Sequence, residues 1–99
     1  MATPEEAARA LGVCRERIDD VDVRIVALLN ERTSIVQEIG RIKSSAQLPV
    51  YEPRREDQVF ENITSHNGGP LSGDALRRIF ERVIDEMRKV QKDRMEKES

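Results

Sequence analysis

From Pro4 to Ser45 the chain contains no further proline and only two glycines, Gly12 and Gly40. Apolar side chains recur through this stretch as Ile18, Val21, Ile25, Leu28, Leu29, Ile35, Val36, Ile39 and Ile42. Spacings of three and four residues are the period of an amphipathic helix. The start is well marked: Thr3 suits the N-cap, Pro4 the first helical position, and Glu6 completes a capping box. The helix either breaks at Gly12 or runs through it. In both cases a segment of roughly 30 to 40 residues remains, about 45 to 60 Å long at 1.5 Å per residue. A compact domain of 99 residues has a radius of gyration of roughly 13 Å. A helix this long leaves its apolar stripe wet in a lone subunit, and pairing with a second copy of the chain buries it. A dimer built on paired long helices follows from this one feature.

The rest of the chain reads as two shorter helices. The expected bounds are about 4–45, 53–66 and 72–96 within a single domain of residues 1–99. Pro49 and Pro53 bracket a short connection, and Pro53 opens the second helix, whose apolar side is Val59, Phe60 and Ile63. Asn67-Gly68-Gly69-Pro70 is a strong stop. Ser72 suits the N-cap of the third helix, with Asp74 in its first turn. Leu76, Ile79, Phe80, Val83, Ile84, Met87 and Val90 form its stripe, and the tail KDRMEKES is expected to fray. With aromatics at 3%, no Trp and charged residues at 36%, the composition suits long helices rather than a β-sandwich or barrel.

Composition also removes several function classes. Seventeen basic and nineteen acidic residues are interspersed, for a net charge of -2. This offers no basic face for nucleic acid. Cys14 is the only cysteine and His66 the only histidine, so neither an intrachain disulfide nor a cysteine- or histidine-rich metal site is possible. The N-terminus is acidic where a signal peptide is basic, and no apolar run approaches membrane-spanning length. A cytoplasmic protein that binds neither membrane nor nucleic acid is the expectation.

Candidate chemistry lies where polar groups interrupt the apolar stripes. Arg32 falls between Leu28/Leu29 and Ile35/Val36, and Lys43 comes eleven residues later, within about 20° of the same face. Arg15 lies seventeen residues before Arg32, about 100° round the helix. It is poorly placed for the same pocket in its own chain, and available to a partner's. Gln91 extends the third stripe one turn after Met87 and offers a neutral amide. Arg54-Arg55-Glu56-Asp57 opens the second helix. Each has a plain structural reading: Arg32 and Lys43 as snorkelling side chains, Gln91 as a boundary residue, Arg55-Glu56 as a solvated first turn. Cys14 and His66 carry no assigned role. Together, several basic groups and one amide on one helical bundle suit a small polyanion.

These residues form a recognisable series. Arg15 stands in R-x-x-I-D-x-x-D, Arg32 in L-x-x-R, Lys43 in I-G-x-x-K, and Arg55 and Glu56 in P-V-x-[DE]-x-x-R-E, with Gln91 late in the last helix. In this order and spacing, from about Ala8 to Arg94, the chain resembles the all-helical chorismate mutases. The resemblance implies an all-α intertwined homodimer of three-helix subunits, each with one very long N-terminal helix. It implies the Claisen rearrangement of chorismate to prephenate in phenylalanine and tyrosine biosynthesis, without metal or cofactor. By the same resemblance, Arg15 reaches across the dimer to a substrate carboxylate and Arg32 binds one from within the subunit. Lys43 and Gln91 donate to the ether oxygen, and Glu56 accepts from the ring hydroxyl with Arg55 supporting the charge network. Glu52 stands where the family often has Asp, with its backbone near that hydroxyl. Met87 departs from the pattern, occupying a position where many members carry Ser or Asn against the substrate.

NGGP and YEPRRE are also similar to mutase domains associated with DAHP synthase, the first enzyme of the aromatic pathway. Two other activities fit parts of the pattern. Isochorismate-pyruvate lyases share the fold, the arginines, the lysine and the late Gln, but lack the Glu of the R-E pair, so Glu56 favours the mutase. A mainly regulatory helical dimer module gives no reason for Arg32, Lys43 and Gln91 to coexist.

Overall fold

A computed structural model describes residues 1–98; Ser99, the last residue of the expected domain, lies outside the described residues. The described residues form three helices and no strand: α1 (Pro4–Ala46), α2 (Pro53–Ser65) and α3 (Gly73–Glu98). The sequence-based expectation of an all-α chain with one very long N-terminal helix is met. No helix among the described residues is long and apolar enough to cross a membrane.

Local chemistry accounts for most helix ends. Thr3 Oγ1 accepts from the Glu6 backbone N–H at 3.1 Å, and Ser72 Oγ accepts from that of Ala75 at 3.1 Å. Each satisfies one of the donors a helix start leaves free. α1 runs through Gly12 without a break. It ends in a Schellman motif: Leu48 N–H donates to the Lys43 carbonyl at 2.8 Å and Gln47 N–H to the Ser44 carbonyl at 3.3 Å. Gln47 takes the left-handed conformation this motif needs, with φ of 56°. Between α2 and α3, Asn67 folds the loop on itself, accepting from Gly69 N–H at 3.0 Å and donating to the Leu71 carbonyl at 2.8 Å. α3 continues as helix to Glu98, through the tail expected to fray. The Arg94–Glu98 pair, 3.2 Å apart at i and i+4, and Lys97 near the negative end of the helix both favour the last turn.

The chain divides into two compact units, Met1–Arg32 and a second that begins at Thr33. In the first, Ile18, Val21, Ile25, Leu28 and Leu29 are all exposed. In the second, Val36, Ile84 and Met87 are buried, with Val59, Phe60, Ile63, Phe80 and Val83 half-buried around them. Ile35, Ile39 and Ile42, on the same α1 stripe, stay exposed. Gly40 is buried where α1 meets α3, and a Cβ there would lie 3.2 Å from both Arg94 Cβ and the Gln91 carbonyl oxygen. The absence of a side chain permits this approach. It brings the level of Lys43, one turn further along α1, against Gln91.

Candidate active site

Lys43 is the one buried charged residue among the described residues, at 5% exposure. Burying an ammonium is costly unless every proton is donated. Here Nζ has three acceptors: the Val50 carbonyl at 2.9 Å, Gln91 Oε1 at 2.8 Å and Glu52 Oε1 at 2.6 Å. The Schellman turn after Lys43 folds the chain back, so Val50 and Glu52 return to the lysine that precedes them by a few residues. The side chain of Glu52, the residue before α2, makes no capping bond to that helix because its carboxylate is committed to Lys43. Pro53 at the first helical position needs no acceptor for its nitrogen, and Glu56 N–H reaches the Glu52 carbonyl at 3.0 Å.

Gln91 presents its oxygen to Lys43. An ammonium only donates, so this assignment of the amide follows from chemistry. The Gln91 NH2 group is thereby directed away from the lysine and remains a donor.

A second polar group sits on α2 and α3. Arg88 clamps Glu56 in a two-bond fork, Nε to Oε2 at 2.6 Å and Nη2 to Oε1 at 2.7 Å. The same guanidinium donates through Nη1 to Asp85 at 2.7 Å and lies 5.5 Å from the centre of the Tyr51 ring. The hydrogen bonds from Arg88 hold the Glu56 carboxyl below its ordinary value of 4.5, against a smaller opposing effect of burial, and the charge of Lys43 adds to the lowering. The Arg88 pKa is raised by the same hydrogen bonds. Glu56 is therefore an ionised acceptor at neutral pH, and it lies within electrostatic reach of the Lys43 cluster.

Met87 is buried at 7%, and its sulfur accepts from Thr33 Oγ1 at 3.7 Å. The residue that departs from the family pattern thus caps a threonine hydroxyl of α1. Arg55 is exposed at the start of α2; the guanidinium on Glu56 is that of Arg88. In the first unit, Arg15 is exposed and Arg32 half-buried.

Of the residues singled out from sequence, Lys43, Gln91 and Glu52 meet directly, and Glu56 lies in the adjoining pair. Arg88 has no comparable mark in the sequence. Its near neighbour Asp85, at i−3, makes it look like half of a surface ion pair, and its main partner lies 32 positions away. Sequence spacing gives no signal for that pairing. The useful hint was weaker: Arg88 follows Met87 on the flank of the buried stripe.

The arrangement provides fixed donors, Lys43 and the Gln91 amide, beside the carboxylates of Glu52 and Glu56. Such a site can bind a small anion and stabilise charge forming on its oxygen.

Comparison with known proteins agrees with this architecture. Residues 14–92 match the family chorismate mutase type II. The chain is 42% identical over 74 residues to a bifunctional chorismate mutase/prephenate dehydratase of Aquifex aeolicus, covering 71% of this chain and 20% of that protein. It thus spans about a fifth of the length of the bifunctional relatives it matches. The fold is similar to the chorismate mutase (form II) of Thermus thermophilus, with a TM-score of 0.82 at 31% identity over 84% of this chain and 94% of that one. It is also similar to the chorismate mutase of Helicobacter pylori in complex with prephenate, with a TM-score of 0.82 at 27% identity over 89% and 96% of the two chains. With its family match spanning most of the described helices, this chain belongs to the chorismate mutase type II family.

Proposed function

We propose that residues 1–99 act as a single chorismate mutase domain that rearranges chorismate to prephenate, using no metal or cofactor. The observation that carries this reading is the buried Lys43 ammonium bonded to Gln91, in a chain of this family. The rearrangement is unimolecular. The ether C–O bond of chorismate breaks as a new C–C bond forms, and electron density builds on the ether oxygen. Lys43 Nζ and the Gln91 NH2 group donate to that oxygen. Their benefit is larger in the transition state than in the ground state, which raises turnover rather than affinity alone.

The other assignments rest on the family resemblance. Arg32 holds one substrate carboxylate from within the subunit, and Arg15 holds the other from a second copy of the chain. Arginine suits both because its fork binds a carboxylate through two parallel bonds. Glu56, kept ionised by Arg88, accepts from the ring hydroxyl. Glu52 and Arg55 border the substrate, and Met87 lines the site without donating. Because Lys43 already has three protein acceptors, a bound substrate displaces one, and half-exposed Glu52 is the acceptor most free to leave.

The homodimer is part of the same proposal. The bare α1 residues from Ile18 to Ile42 form the kind of apolar surface that marks an interface. Action in the cytoplasm belongs to the proposal as well. The mutase activity of a longer enzyme is a second form of the reading, favoured by the bifunctional relatives. Partnership with a DAHP synthase rests on the NGGP and YEPRRE likeness.

Product identification by NMR tests the reaction. Purified protein given chorismate is expected to yield prephenate, and given isochorismate to yield no pyruvate. Pyruvate from isochorismate without prephenate from chorismate would replace the mutase with the lyase.

A further inference from the structure

We infer that Arg88 is a positioning residue for Glu56, fixing the plane and direction of that carboxylate from the neighbouring helix. The inference rests on the mutase reading for the meaning of Glu56, but its geometry stands alone. Glu56 lies in the first turn of α2 and Arg88 in the second half of α3. The two meet through parallel bonds of 2.6 and 2.7 Å. A single bond lets a carboxylate pivot, whereas a fork fixes its plane. The guanidinium is itself held, by Asp85 at 2.7 Å on its third nitrogen and by the Tyr51 ring on one side. Three elements thus converge on one planar group: α2, α3 and the connection carrying Tyr51.

The fork uses one lone pair on each Glu56 oxygen, and a carboxylate has about four acceptor sites. The remaining sites are oriented by Arg88 and available to a substrate hydroxyl. The charged groups that act on Glu56 are Arg88 and Asp85 from α3 and Lys43 from α1. Arg88 supplies the largest lowering of its pKa, and Asp85 opposes it. Losing Arg88 therefore frees the carboxylate to rotate and moves its titration up toward the ordinary carboxylate range.

The test compares wild-type protein with Arg88→Met, Arg88→Lys, Glu56→Gln and the Arg88→Met/Glu56→Gln double variant, with kcat and KM measured across pH. Arg88→Met is expected to lose on the order of 10- to 100-fold in kcat/KM, mostly in kcat, and to shift the acid limb of the profile upward. Arg88→Lys, which keeps the charge without the fork, recovers part of the loss. If Arg88 acts through Glu56, adding Arg88→Met to Glu56→Gln costs almost nothing further. A full additional loss in the double variant, or an unmoved acid limb, overturns the inference. A purely structural tie between α2 and α3 would lower the melting temperature and cost the Glu56→Gln protein as much activity as it costs the wild type. If wild-type protein fails to convert chorismate, the mutase reading falls. The Glu56 side chain then judges Arg88: rotamer averaging in the Arg88→Met protein, read from NMR couplings, upholds the positioning role, and a side chain that keeps one rotamer overturns it. Should Arg88→Met not fold, Arg88→Lys carries the same measurements.

Discussion

Lys43 and Gln91, 48 positions apart in the chain, meet with Nζ 2.8 Å from Oε1. The bond orients both partners. It satisfies one proton of a buried ammonium, and it turns the amide so that its NH2 group points elsewhere as a donor. Two donors of different charge are held in register between α1 and α3 by this contact.

Replacing Lys43 separates chemistry from packing. Lys43→Ala is expected to reduce kcat by on the order of 100- to 1000-fold, the usual cost of removing one donor from a developing negative charge. It also leaves the Val50 carbonyl and Gln91 Oε1 short of a donor, which costs about 1 to 3 kcal/mol of stability. Circular dichroism should still report a helical protein, with a lowered melting temperature. Near wild-type turnover in a folded Lys43→Ala protein would contradict the assignment.

Gly40 sets the spacing at the same level. In Gly40→Ala, the added Cβ would lie 3.2 Å from Arg94 Cβ and 3.2 Å from the Gln91 carbonyl oxygen. Alanine improves helix propensity by about 1 kcal/mol, and overpacking opposes it by roughly 1 to 3 kcal/mol. The expected net loss is about 1 kcal/mol in urea unfolding. Activity should suffer more, about 10-fold in kcat/KM, because the strain falls on the Gln91 backbone. Activity unchanged alongside lowered stability would mean that the α1–α3 spacing does not govern the donors.

The Glu56–Arg88 pair gives stability a defined pH dependence. The folded pKa of Glu56 lies below its ordinary value of 4.5, so the unfolded state binds the proton more readily. The stabilisation is complete above the ordinary value and is lost as pH falls through the lower folded value. Both side chains retain some exposure, so the contribution is about 1 kcal/mol or less. Urea midpoints measured from pH 6 down to pH 3 should fall more steeply for wild-type protein than for Arg88→Met. Parallel slopes would show that the pair contributes nothing.

How much of this was legible in the sequence varies by residue. Thr3 and Ser72 announce helix starts because a hydroxyl at an N-cap acts locally, within three residues. Lys43 stands out because a charge interrupting an apolar stripe is a conflict visible in one helix. Its contacts with Val50 and Glu52 are not visible there, because both depend on the turn after α1, and that turn uses Gln47 where glycine or asparagine is usual. Arg88 carries no such mark in the sequence, for a related reason. Its Asp85 contact is local and ordinary, while its contact with Glu56 exists only once α2 and α3 pack. The exposed face of α1 was anticipated from helix length alone, since a stripe from Ile18 to Ile42 has too little of its own chain to cover it.

The proposed dimer makes a prediction about mixing. Arg15→Ala and Arg32→Ala proteins should each be nearly inactive. In a heterodimer of the two, one site receives intact Arg15 from one subunit and intact Arg32 from the other, while the second site lacks both. Random subunit exchange should therefore restore about a quarter of wild-type turnover in a two-fold dimer. No recovery in folded heterodimers, verified by mass spectrometry, would show that the two arginines do not serve a shared site.

Whether this chain itself catalyses the rearrangement is decided by the rate at which purified protein consumes chorismate, followed by loss of substrate absorbance with prephenate identified as product. Saturable conversion far above the uncatalysed rate, proportional to protein concentration and lost in Lys43→Ala, is the expected result. Chorismate consumed no faster than in buffer, by protein that is folded and dimeric, would contradict it.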